Sequence, residues 1–229
     1  MFAHPPAAVG AAWNVEVSAV SRASDPGGGT QISTYDSDYR VELLGVDGPA
    51  PARVRLHFSK NVHTYQGQPT PTVIDGKEYI VDAKAPHVRD TSDRAAPEEE
   101  AQRVLDVFPD LGTRTRVDEV MPDDAMNIGD RRDELAAAIL RVMHPRAWTM
   151  NEGSATLVRS ENGHGVFTVK IEASSNTGLR LVVAGEARVR LRDARLSELA
   201  LDGTYREPNA LPGAEPATFR VRRTTRDAR

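Results

Sequence analysis

Apolar and polar residues alternate along much of the chain. Trp13, Val15, Val17 and Ala19 fall on one side of an extended segment, with Asn14, Glu16 and Ser18 on the other, as a half-buried strand requires. Asp25-Pro26-Gly27-Gly28-Gly29 then breaks the pattern, because proline lacks a donor and glycine accepts positive φ. Tyr39, Val41 and Leu43 alternate with Asp38, Arg40 and Glu42; after Asp47-Gly48-Pro49, Val54, Leu56 and Phe58 alternate with Arg53, Arg55 and His57. Asp75-Gly76 suits a tight turn and predicts a hairpin between Val73-Ile74 and Tyr79-Ile80-Val81.

The period changes at Pro97-Glu98-Glu99-Glu100, where a first-turn proline and carboxylates suit a helix N-terminus and predict a helix to about Phe108. A second helix is predicted from about Asp130, with Leu135, Ala138, Ile139 and Val142 on one stripe and Pro145 as its stop. Alternation then resumes after Trp148. Asn162-Gly163 marks a turn before Phe167, Val169 and Ile171; Leu181 and Val183 follow, then Ala187, Val189 and Leu191, with short strands at Leu199 to Tyr205 and Phe219 to Val221.

Successive strands without intervening helices favour antiparallel pairing. The expected fold is therefore mainly β (α+β): a long antiparallel curved sheet or open barrel with a two-helix insert. Residues 1–12 read as a flexible lead-in and 13–229 as one β-rich domain, comprising a first β half (13–92), the helical insert (93–145) and a second β half (146–229). The lead-in lacks the basic start and apolar core of an intact signal peptide and fits a remnant left by trimming.

Composition narrows the chemistry. The chain has 229 residues, 29 basic and 33 acidic side chains and a formal charge of -4, which gives no net field to hold nucleic acid. Zero cysteines remove disulfides, thiolate metal sites and cysteine nucleophiles. No run approaches the roughly 20 apolar residues of a membrane-spanning helix, and no cofactor motif is present.

Candidate sites are few. His57 and His63 suggest metal ligation, but six extended residues would hold them on one face about 20 Å apart, beyond a shared metal. Arg188, Arg190 and Arg192 share one face of a predicted strand, and could bind an anion or pair with carboxylates of neighbouring strands. The C-terminal arginines from Arg220 to Arg229 read as a solvated basic tail. Gly27-Gly28-Gly29 lacks the Lys-Ser/Thr continuation of a phosphate loop, and no GxSxG elbow occurs. Glu98 to Glu100 and Asp123-Asp124 sit where helix-start and loop carboxylates are expected.

The segment Met121-Pro122 to Ile128-Gly129-Asp130, Gly153, and the strand Val166 to Ile171 resemble uncharacterised families of exported β-rich bacterial proteins, as do Val183 to Ala187 and Leu199 to Thr204. In those families a loop with a Gly-Asp pair separates two β-rich halves. Here Arg131 opens a helix where the family carries an aromatic residue. The resemblance implies a periplasmic or lipoprotein-anchored domain and carries over no functional residue; a cytoplasmic location is the alternative.

Three functions fit these patterns. The first is a non-enzymatic soluble envelope protein that binds an apolar small molecule or a protein partner. Its ligand would meet Val41, Leu56, Phe58, Phe167, Val169 and Leu181, residues that would equally fill a solid core. The second is a hydrolase or isomerase using carboxylates and His57 or His63 in a cleft. The third is a scaffold subunit presenting a long uncovered edge strand.

Overall fold

The computed structural model describes all residues except 25–28, 49, 85–86, 109–110, 112–116, 144–147, 209–214 and 229. The expected breaks at Asp25 to Gly28 and Pro49, the stop at Pro145, and His144 therefore lie outside the described residues.

Among the described residues, eleven strands form one antiparallel sheet that does not close into a barrel. The first half contributes β1 (Ala12–Ser24), β2 (Thr30–Asp47), β3 (Ala50–Tyr65), β4 (Gln68–Pro71), β5 (Glu78–Asp82) and β6 (His87–Asp90). Among the described residues, three helices follow: α1 (Glu98–Val107), α2 (Val117–Val120) and α3 (Asp133–Met143). The second half contributes β7 (Trp148–Glu161), β8 (His164–Ser175), β9 (Arg180–Arg190), β10 (Leu196–Arg206) and β11 (Ala217–Asp227).

The sheet order is β6-β5-β3-β2-β1-β11-β10-β9-β8-β7, with β4 paired to β3. The chain starts at the centre, runs to one edge, crosses through the helices to the other edge and returns to the centre. Its first and last strands pair there, Val15 opposite Thr225 and Ala19 opposite Val221.

The helical crossing covers one face of the sheet, called the inner face below. Two apolar clusters lie beneath it. One joins Leu135, Ile139 and Leu140 of α3 to Phe167, Val169, Leu181 and Leu201. The other joins Val104 of α1 to Val41, Leu56, Phe58 and Tyr79. Burying apolar area at about 25 cal/mol per Å² drives both.

Both sheet edges are blunted. Beside β7, Arg132 N–H donates to the Ala155 carbonyl at 2.7 Å and Leu157 N–H to the Asp130 carbonyl at 2.9 Å. Beside β6, Ala96 N–H donates to the Val88 carbonyl at 2.9 Å. Short added segments of this kind suppress edge-to-edge pairing, so the uncovered edge that a scaffold subunit would present is interrupted at both ends.

Several expectations change. Val73 and Ile74 form no strand; residues 73–76 are a turn, with Gly76 at φ 69°, and β5 pairs with β3 and β6. Ile74 still enters the core from that turn with no exposed surface. The last two strands are long, 11 residues each. The lead-in is anchored at Phe2, which is 3% exposed and packs its ring 6.2 Å from that of Phe167.

Candidate binding site on the inner face

The six predicted ligand contacts all face inward and are sealed. Val41, Leu56 and Phe58 lie in one cluster, and Phe167, Val169 and Leu181 in the other; none is more than 2% exposed. They therefore form the floor beneath the helices.

Between the clusters the inner face is less covered. Register puts Val17 opposite Ser37 on β2 and Arg223 on β11, and Ala19 opposite Tyr35 and Val221. Val17, Ala19, Tyr35, Phe219 and Tyr205 are each half-buried, and Val17 packs against both clusters. These residues make a strip of partly exposed apolar and aromatic surface along the sheet centre.

Close backbone approach shapes one side of the strip. A Cβ at Gly203 would sit 2.0 Å from the Val182 carbonyl oxygen, and one at Gly185 would sit 2.0 Å from that of Ala200. Gly203 lies opposite Phe219 and Val183, and Gly185 opposite Leu201 and Val169. At both inward positions the surface therefore has no side chain where β9 and β10 run closest.

Polar groups border the first cluster. Asn61 and Ser37 have no exposed surface. Asn61 donates its backbone N–H to Asp75 Oδ1 at 2.5 Å and its side-chain amide to Tyr35 and Ser37, both at 2.8 Å. Thr72 donates to Asn61 Oδ1 at 2.6 Å. The side-chain amide nitrogen and oxygen of Asn61 and the hydroxyl of Ser37 thus each have a short partner, as burial demands. The Arg103 guanidinium lies 5.2 Å from the Tyr35 ring centre.

The tyrosine and glutamate that lock α1 to the sheet are also coupled. Tyr79 OH donates to Glu100 Oε2 at 2.5 Å, and Lys77 Nζ to Glu100 Oε1 at 2.7 Å. Burial, then the glutamate, push the Tyr79 phenol far above its usual range; Lys77 and Tyr79 hold the Glu100 carboxyl below its own. The Glu98 to Glu100 run thus supplies a tether.

The arginine run does not present three guanidinium groups on one face. Arg188 and Arg190 are on β9, whereas Arg192 follows in a turn. Arg188 meets Glu161 at 3.3 Å and Glu198 at 3.4 Å. Arg190, 9% exposed, binds Asp193 and Asp227, with its Asp227 Oδ1 bond 2.9 Å long; Arg192 also donates to Asp227. Arg195 lies 4.2 Å from the Trp13 ring centre, and burial lowers its pKa. A cleft of about 550 Å³ opens beside Arg190, Arg192, Glu198 and Thr225, but each guanidinium of the predicted run already has a carboxylate.

His57 and His63 do not meet. A register shift beside Ser59 places Phe58 opposite Tyr39 and Lys60 opposite Asp38, so this bulge reverses the alternation. His57 and His63 consequently lie on opposite faces, not one. His57 Nδ1 is 3.7 Å from Glu78, and His63 Nε2 is 2.7 Å from the Ser33 hydroxyl. Among the described residues, no carboxylate lies within hydrogen-bond distance of His63 to orient it, and no group of three potential ligands could hold a metal ion.

No family model and no curated protein matches the chain. Its fold is similar to that of a solved structure of lipovitellin, described by its lipid–protein interactions, with a TM-score of 0.55 and 8% sequence identity. The match covers 97% of this chain and 25% of the lipovitellin chain, so this chain spans about a quarter of the length of the structure it matches. At that identity the likeness concerns the fold alone.

Proposed function

We propose that this protein is a non-enzymatic binding protein of the cell envelope that holds an apolar ligand along the strip between its two apolar clusters. The carrying observation is the incomplete covering at the sheet centre, where Val17, Ala19, Tyr35 and Tyr205 stay half-buried between two sealed regions. Apolar surface left partly open beside a closed core suits a ligand that supplies the missing cover. The fold match to lipovitellin supports the reading, because that protein's structure is described by lipid–protein interactions. Envelope placement rests on the resemblance carried by the Met121 to Asp130 segment.

Uptake of the neutral dye Nile red tests this. Wild type should bind it with saturation near one dye per chain. Ala19→Trp, which fills the strip from β1, should abolish uptake while leaving the melting temperature within a few degrees. Equal uptake by both proteins would refute the location, and no uptake by wild type would refute the function.

A further inference from the structure

We infer that the ligand on this strip is an anionic amphiphile, its charged group held by Arg223 and its chain lying along the inner row of β11. The inference rests on the apolar-ligand reading above and specifies its chemistry.

Arg223 is an inward residue by register. It lies opposite Val17 of β1 and Leu199 of β10, and Leu199 is 2% exposed within an apolar cluster. Strand alternation puts it in one row with Ala217, Phe219, Val221 and Thr225. The outward arginines of the same strand all have carboxylates: Arg220 and Arg222 bind Asp202 at 2.5 and 2.9 Å, and Arg226 lies 3.5 Å from Glu16. Arg223 is half-buried and has no hydrogen bond, ion pair or ring contact among the described residues.

A second observation comes from the next inward position. Thr225 is 6% exposed, and its hydroxyl is buried without a hydrogen-bond partner. Two residues of strand separate it from Arg223 by about 7 Å. An unpaired guanidinium and an unpaired hydroxyl thus face one apolar row, although buried polar groups ordinarily find partners. A carboxylate or phosphate ester supplies the acceptors that the half-buried guanidinium lacks, and a guanidinium matches either in a bidentate fork; the Thr225 hydroxyl, sealed beside it, marks the polar end of the row. From Arg223 to Ala217 the row is about 20 Å long, enough for an alkyl chain of a dozen or more carbons.

Two probes of equal chain length separate charge from apolar contact: dodecanoate below its micellar concentration and uncharged dodecanol, each displacing Nile red. Wild type should bind dodecanoate at least about tenfold more tightly, the ratio expected for a charge-assisted bond in apolar surroundings. Arg223→Gln should lower dodecanoate affinity to that of dodecanol without changing dodecanol affinity. Arg223→Lys should restore part of the preference, with circular dichroism and melting curves confirming that both variants fold. Equal wild-type affinity for the two probes, or a preference that survives Arg223→Gln, would overturn the inference and leave the apolar-ligand reading in place. Nile red that neither probe displaces would overturn the inference and leave the apolar-ligand reading in place, whereas no uptake of Nile red by wild type would overturn both.

Discussion

Gly203→Ala tests the close approach of β9 and β10. The new Cβ would lie 2.0 Å from the Val182 carbonyl oxygen and 2.7 Å from both Cα and Cγ1 of Val183. Ordinary contact begins near 3.4 Å, so the neighbouring backbone must retreat by about 1.4 Å, the difference between those two distances. It cannot do so freely, because β9 is paired along its length to both β8 and β10. Two or more ladder hydrogen bonds at about 1 kcal/mol each, with about 1–3 kcal/mol for overpacking, give an expected destabilisation of about 3 kcal/mol or more. Urea unfolding followed by tryptophan fluorescence measures it, with m unchanged if only stability moves. Gly45→Ala is the control: its Cβ would meet only Arg53 Cβ at 3.4 Å, so the expected change is within about 0.5 kcal/mol. A Gly203→Ala midpoint as close to wild type as that of the control would refute the reasoning.

Tyr79→Phe removes the hydroxyl that binds Glu100 and should cost about 1–2 kcal/mol in urea unfolding at neutral pH. Because the folded Glu100 pKa is depressed, its contribution is present above the unfolded value near 4.3 and is lost as pH falls through the folded value. Unfolding midpoints should therefore decline below about pH 4.3, less steeply in Tyr79→Phe. Asp38, raised chiefly by burial, runs oppositely: its contribution is lost as pH rises through its folded value. Arg190→Gln removes the guanidinium shared by Asp193 and Asp227, with Arg192 still reaching Asp227, and should cost about 2 kcal/mol, below the range for fully buried pairs because Asp227 is 48% exposed. Phe2→Ala should lower stability by about 2 kcal/mol, less than a central core deletion because the terminal segment can fray; calorimetry checks both.

Alternation made the sheet legible from sequence because period two records which side of a strand is buried. It identified the inward positions of Val41, Leu56, Phe58, Phe167, Val169 and Leu181, and proline with first-turn carboxylates marked α1. The pattern could not say whether those side chains are sealed, since that depends on where α3 and α1 land across the sheet. One bulge defeats simple counting: beside Ser59 it reverses the faces of His57 and His63. Asp75-Gly76 was readable as a turn, but Asp75 caps the Asn61 backbone amide in place of closing a hairpin. Arg223 was hidden in a run of terminal arginines. Only its register against Val17 and Leu199 separates it from the paired outward members.

Native mass spectrometry of protein purified without detergent, compared with its denatured mass, tests the central claim most directly. Expected is added mass near one ligand per chain that disappears on denaturation and extracts into organic solvent as an amphiphile. A mass equal to the bare chain, unchanged after incubation with dodecanoate or dodecanol, would contradict it and leave the central strip as ordinary surface.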